Sequence, residues 1–299
     1  MEHLVGAGFI IIIIILYGFF SKPEPGIVKY NSCIARLDCK GSFEFIPPHP
    51  SKIIDFGVQG PILPYAKEPT KRKSVYQCFD EWIQLKNNVG NHQFPRSTHN
   101  EDVTIWKRYF NGGVSNGYFL ELGAFDGVAE SNTRFFERCL GWGGLLIEAN
   151  PIPFETLRTS RPYATKLHLA PSCKEETTVL FNPTPWTNAK TANIRASIGK
   201  ETPNGVEVHC APLATYLKYL EITEIDFMSL DVEGSELSVL ETIDFDAVKI
   251  KVLMVESKNT HNPGGNSPQN VMVRKFLHSK GFTIEPAGTV QHSDVYLSN

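Results

Sequence analysis

Residues 118–151, YFLELGAFDGVAESNTRFFERCLGWGGLLIEANP, constrain this chain more than any other stretch. The apolar run 118–122 reads as a buried strand. Small, turn-forming residues, GAFDG at 123–127, break it. Residues 131–140 follow as an amphipathic helix, with Phe135, Phe136 and Leu140 at near-helical spacing. Gly141, Gly143 and Gly144 stop that helix. A second apolar run, 145–147, ends in Glu148. Strand, glycine loop, helix, strand and acid, in that order, make the first half of a nucleotide-binding α/β unit.

Such a unit has specific physics. Glycines at Gly123 and Gly127 let backbone approach a ligand with no Cβ in the way. A helix start at Ser131 and Asn132 serves either as a plain N-cap or as a ligand contact. A carboxylate closing the second strand accepts two hydrogen bonds from a ribose diol. The loop is not G-x-G-x-x-G, and Glu121 and Asp126 would repel a pyrophosphate. An adenosine cofactor without phosphates and with a positive centre suits it better, which points to S-adenosyl-L-methionine.

A second acidic motif lies downstream. Residues 225–240, IDFMSLDVEGSELSVL, read as a strand entering D-V-E-G-S-E and then a helix. Asp231, Glu233 and Glu236 gather carboxylates at a strand C-terminus, and Glu256 ends the next strand in the same plane. Open α/β sheets bind ligands at that edge. The acids read as general bases for an attacking hydroxyl, as ligands for a divalent cation, or as a helix start using acids for its dipole.

With both motifs in this order, roughly residues 102–299 resemble the FkbM family of S-adenosylmethionine-dependent methyltransferases. The wording G-A-F-D-G…S-N-T…G-W-x-G-L-L-I-E most resembles an animal subgroup that includes the insect membrane protein Star, described as a trafficking factor. The resemblance implies a Rossmann-like α/β sheet, mostly parallel, ending in a C-terminal antiparallel hairpin. It implies Glu121 near the cofactor's amino group, with Gly123, Ala124, Asp126 and Gly127 around the cofactor. It also implies Glu148 on the ribose with Asn150 beside it, and adenine contacts where the third strand ends at Ala170. Asp231 is carried as both cofactor-binding and catalytic, Glu233 and Glu256 as catalytic, and no metal is expected. Cys139, on the helix after the glycine loop, reads as a buried thiol.

Composition sets the remaining bounds. A chain of 299 residues, 41% hydrophobic, can build one sizeable core with additions. A net charge of −3 gives no basic footprint for nucleic acid. Of the 6 cysteines none form C-x-x-C, which leaves no zinc or redox motif; Cys33 and Cys39 pair if the compartment is oxidising. Residues 4–20, LVGAGFIIIIIILYGFF, carry no charge and are just long enough for a thin bilayer. They read as a retained signal anchor rather than a cleaved signal, because no A-x-A-like site follows.

The expected organisation is a transmembrane anchor at 1–22, a proline-rich stalk at 23–97 and the catalytic domain at 98–299. Within the stalk, residues 75–85 form a short helix with Tyr76, Phe79 and Ile83 on one side. Residues 101–110 form another, with Asn100 as N-cap. Residues 183–205 are a polar excursion long enough to be a lid. Asn259 and His261 lie on a glycine-rich loop after Glu256. The expected function is a membrane-anchored O-methyltransferase of the secretory pathway, its domain luminal, acting on a hydroxyl of a glycan or small metabolite. The alternative is a non-catalytic, Star-like protein in vesicle-mediated trafficking of a membrane cargo.

Overall fold

The computed structural model describes residues 75–85, 96–111, 116–161, 163–181, 205–257 and 267–299. The expected anchor, the Cys33/Cys39 pair, the polar excursion 183–204, Asn259 and His261 lie outside them. No helix among the described residues is long and apolar enough to cross a membrane.

Seven strands form one sheet in the order β3-β2-β1-β6-β7-β9-β8. They are β1 (Tyr118–Leu122), β2 (Gly143–Glu148), β3 (Ala164–His168), β6 (Glu224–Leu230), β7 (Lys249–Glu256), β8 (Phe282–Ile284) and β9 (Ser293–Ser298). The first five of these pair in parallel, while β9 is antiparallel to both β7 and β8. This is the Rossmann-like sheet with a closing antiparallel hairpin. The sequence reading left open where residues 176–181 and 206–213 belong. They pair with each other as β4 (Thr177–Phe181) and β5 (Val206–Cys210), a separate antiparallel ribbon.

Alternation along each strand feeds two cores. Leu120, Leu122, Leu145, Ile147, Met228, Leu230, Leu253 and Val255 face one side, packed with α4 (Leu213–Tyr219), α5 (Glu236–Leu240) and α6 (Pro268–Ser279). Phe119, Leu146, Phe227, Val252 and Met254 face the other, against α1 (Val75–Ile83), α2 (Glu101–Ile105) and α3 (Pro151–Ser160). That second core is aromatic. Trp82, Trp106, Phe135, Phe136 and Trp142 are all buried there, with ring centroids 4.8–5.9 Å apart along the chain of contacts.

Local expectations are corrected at four places. The buried face of α1 is set by Trp82, while Tyr76 and Ile83 are exposed. Asn100 is left-handed and makes no side-chain cap; the Ser97 hydroxyl accepts from the Asp102 N–H instead. Residues 131–133 are not helical, and a wide π-helical turn spans Phe136–Leu140. Cys139 is not a free thiol: it is bonded to Cys78, tying α1 to this turn. A second disulfide joins Cys173 to Cys210.

Candidate active site

Strand order reverses between β1, which continues to β2 and β3, and its other neighbour β6. Ligands of open α/β sheets sit at such a switch point, beyond the strand C-termini. A cavity opens there. Its lining includes Glu121, Gly123, Ala124, Ser131, Asn132, Glu148, Asn150, Asp231 and Glu233. Of the expected cofactor residues, Asp126, Gly127 and Ala170 do not line it.

The reasons are geometric. Gly127 has φ +79°, and a Cβ there would come within 2.6–2.7 Å of Leu157, Ser160 and Arg161. Glycine is needed there for close packing against α3. The Asp126 carboxylate accepts from the Val128 and Ala129 N–H groups at 2.8 and 2.7 Å and so braces the loop. Ala170 bridges to Cys210, which leaves its neighbours Leu169 and Pro171 to face the cavity. Gly123 does line the cavity, yet glycine is also required by the backbone: φ is +77°, and a Cβ would strike the Asp231 carbonyl oxygen at 1.8 Å.

Glu148 ends β2 and is buried. Its carboxylate accepts from the Phe125 N–H at 2.8 Å and the Asn150 N–H at 2.6 Å, one on each oxygen. Burial pushes its pKa up to about 7, against the pull of backbone N–H groups of Asn150, Phe125 and Ala149. A carboxylate offers about four acceptor sites, so these backbone donors do not exhaust it. Asn150 also caps α3, its side chain accepting from the Ile152 N–H at 3.1 Å. Apolar Ile147, Leu169, Pro171 and Phe181 flank this end, and no Lys, Arg or His lines the cavity among the described residues. A carboxylate pair of acceptors, an apolar slot and no phosphate-binding cation fit an adenosyl group.

Glu121 is more deeply engaged than its sequence position implies. One oxygen accepts from the Ser131 and Thr133 hydroxyls at 2.8 and 2.6 Å, the other from the Asn132 N–H at 2.7 Å. Asn132 also donates to Ser229 at 3.1 Å, linking the loop after β1 to β6.

The third group sits past β6 and β7. Carboxylate oxygens of Asp231, Glu233 and Glu256 lie within 4.8 Å of one another. Desolvation and the charges of Glu256, Glu233 and Glu236 hold the Asp231 carboxyl well above the usual carboxylate range. Hard oxygen donors at this spacing can hold a shared proton or a divalent cation. Glu233 adopts φ +53°, a costly backbone for a non-glycine residue. Glu236 does not join the group. Buried, it accepts from the Gly234 N–H at 2.8 Å and the Gln269 side chain at 2.6 Å, and it folds the turn.

Sequence reasoning missed Phe125, Glu130, Ser229 and Phe181 in the lining, and Arg161 behind it. Phe125 and Glu130 have positive φ, which side-chain patterns do not signal. Arg161, before Pro162, ends α3 and carries no motif.

The family model for the methyltransferase FkbM domain matches residues 121–284, more than half of the chain. The chain belongs to the FkbM methyltransferase family. The matched stretch starts within β1 and takes in every lining residue named above. No curated protein matches the chain. Among solved structures, it is similar to an FkbM methyltransferase from Methylobacillus flagellatus KT at 15% identity and TM-score 0.40, over 63% of this chain and 46% of that one. It thus spans less than half of that protein. A TehB-like SAM-dependent methyltransferase from Corynebacterium glutamicum is similar at 10% identity and TM-score 0.39, over 75% and 96% of the two chains. Aeropyrum pernix fibrillarin, solved with bound S-adenosyl-L-methionine, is similar at 10% and 0.37, over 72% and 86%.

Proposed function

We propose that this chain is a membrane-anchored O-methyltransferase whose cofactor is S-adenosyl-L-methionine and whose acceptor is a hydroxyl of a glycan or small metabolite. The observation that carries the reading is Glu148: a carboxylate fixed by two backbone N–H groups, lining the same cavity as Asp231 and Glu233. When bound, the cofactor supplies an electrophilic methyl group on a positively charged sulfur. Glu148 would accept from the ribose hydroxyls, and Glu121 would hold the amino-acid end. The Asp231–Glu233–Glu256 carboxylates would receive the acceptor's proton as its oxygen gains the methyl group and the methyl–sulfur bond breaks to leave a thioether; a carboxyl held above its usual range is a better base. The apolar wall and the loop after β1 would position the two partners, and such positioning supplies much of the rate.

Two features support a secretory, luminal setting. Residues 4–20 are long and apolar enough for an anchor. Cys78–Cys139 and Cys173–Cys210 are disulfides, which persist in oxidising compartments and are rare in the cytosol.

The test is methyl transfer from isotopically labelled cofactor by the full chain in detergent, against a panel of sugars, oligosaccharides and small alcohols. Transfer to at least one acceptor is expected, falling about 100-fold or more in Asp231→Asn. Absence of both transfer and cofactor binding would contradict the enzyme and leave the Star-like trafficking reading.

A further inference from the structure

We infer that Arg161 is a positioning residue for the amino-acid end of the cofactor, acting through Ser131 and Thr133 on the Glu121 carboxylate. This rests on the cofactor reading above. Arg161 closes α3 and is 1% exposed. Its charge is answered by Glu137, with which it forms a direct ion pair. Its remaining N–H groups go elsewhere: Nη1 donates to the Ser131 hydroxyl at 3.0 Å and the Gly127 carbonyl at 3.1 Å, and Nη2 donates to the Thr133 hydroxyl at 3.1 Å.

A hydroxyl has one hydrogen and two lone pairs. With an arginine N–H seated on each oxygen, the hydroxyl hydrogens of Ser131 and Thr133 are left to point at their other neighbour. That neighbour is Oε2 of Glu121, at 2.8 and 2.6 Å. The planar fork thereby sets the direction of two donors at once, which a lysine cannot do. Oε2 is filled by these two bonds, while Oε1 takes only the Asn132 N–H among the bonds described and keeps a lone pair. Glu121 lines the cavity, and the open lone pair on Oε1 is the acceptor it has left for an ammonium group. Arg161 Nη1 also lies 3.7 Å from Oε2 of Glu121, a long ion pair, and Arg161 is not among the lining residues. The contact to Gly127 fixes the glycine loop to the same support. A simple core ion pair would need only Glu137; the fork spends its other contacts on groups that converge on one cavity carboxylate.

The experiment is calorimetric binding to the full chain in detergent of two ligands that share an adenosyl thioether. S-adenosyl-L-homocysteine carries the amino-acid end, and 5′-methylthioadenosine lacks it. In Arg161→Lys and in Thr133→Val, affinity for the first should fall about tenfold while affinity for the second stays within about twofold. Thr133→Ser, which keeps the hydroxyl, should bind both as the native protein does. Thermal melting identifies any variant that fails to fold; Thr133→Val, close to isosteric, then carries the test in place of Arg161→Lys. Equal weakening of both ligands would reduce Arg161 to a structural role and overturn the inference, as would undiminished affinity for S-adenosyl-L-homocysteine. A native protein that binds neither ligand overturns the cofactor reading itself, a failure distinct from either of these.

Discussion

Glu148 carries the most chemistry of any single residue. In the folded chain its carboxyl titrates near 7, against 4.5 for an ordinary glutamate, because burial disfavours the charge. A raised carboxyl stabilises the fold below the ordinary value, and that contribution is lost as pH rises through about 7. Binding has the opposite sign, since two ribose hydroxyls need the ionised acceptor. Cofactor affinity should therefore be about tenfold weaker near pH 6 than near pH 8. Glu148→Gln should flatten that dependence as well as weaken binding. Equal native affinities at the two pH values would contradict this. The position and type of this acid were legible from its place after an apolar run. Its donor from the loop after β1 was not, because the Phe125 N–H comes from a residue at φ +50°.

At the scale of elements, the first surprise is the segment after the glycine loop. Phe135, Phe136 and Leu140 signalled a helix, but Ser131, Asn132 and Thr133 turn their donors to Glu121 rather than entering it. A local N-cap pattern lost to a buried carboxylate on the preceding strand. The second is α1. Its Trp82 indole donates to Asp102 at 2.8 Å and packs edge-on to Phe135, and Cys78 is bonded to Cys139. Spacing in the proline-rich region showed a helix but not its partner. The 61-residue separation closed by Cys78–Cys139 corresponds to about 4 kcal/mol of loop entropy. Cys78→Ala should cost up to that amount, and Trp82→Ala about 3–5 kcal/mol, read by denaturant unfolding. Both belong to the core beneath the site, so loss of cofactor affinity should track unfolding. A fully stable Trp82→Ala would refute the docking of α1.

On the scale of the whole molecule, the sheet was readable because strands and helices alternate and two acids end strands at one edge. The β4–β5 ribbon was not, since two short strands separated by a long polar stretch give no pairing signal. If the domain matures in an oxidising lumen, peptide mapping of the cell-derived chain without reduction should recover both Cys78–Cys139 and Cys173–Cys210 linked. Recovery of all four as free thiols would count against that setting. The central claim is the adenosyl pocket between Gly123 and Glu148. Titration of the full chain with S-adenosyl-L-methionine tests it most directly. One saturable site is predicted, weakened about 100-fold in Glu148→Ala through loss of two charge-assisted hydrogen bonds. No binding, or binding indifferent to that substitution, would contradict it.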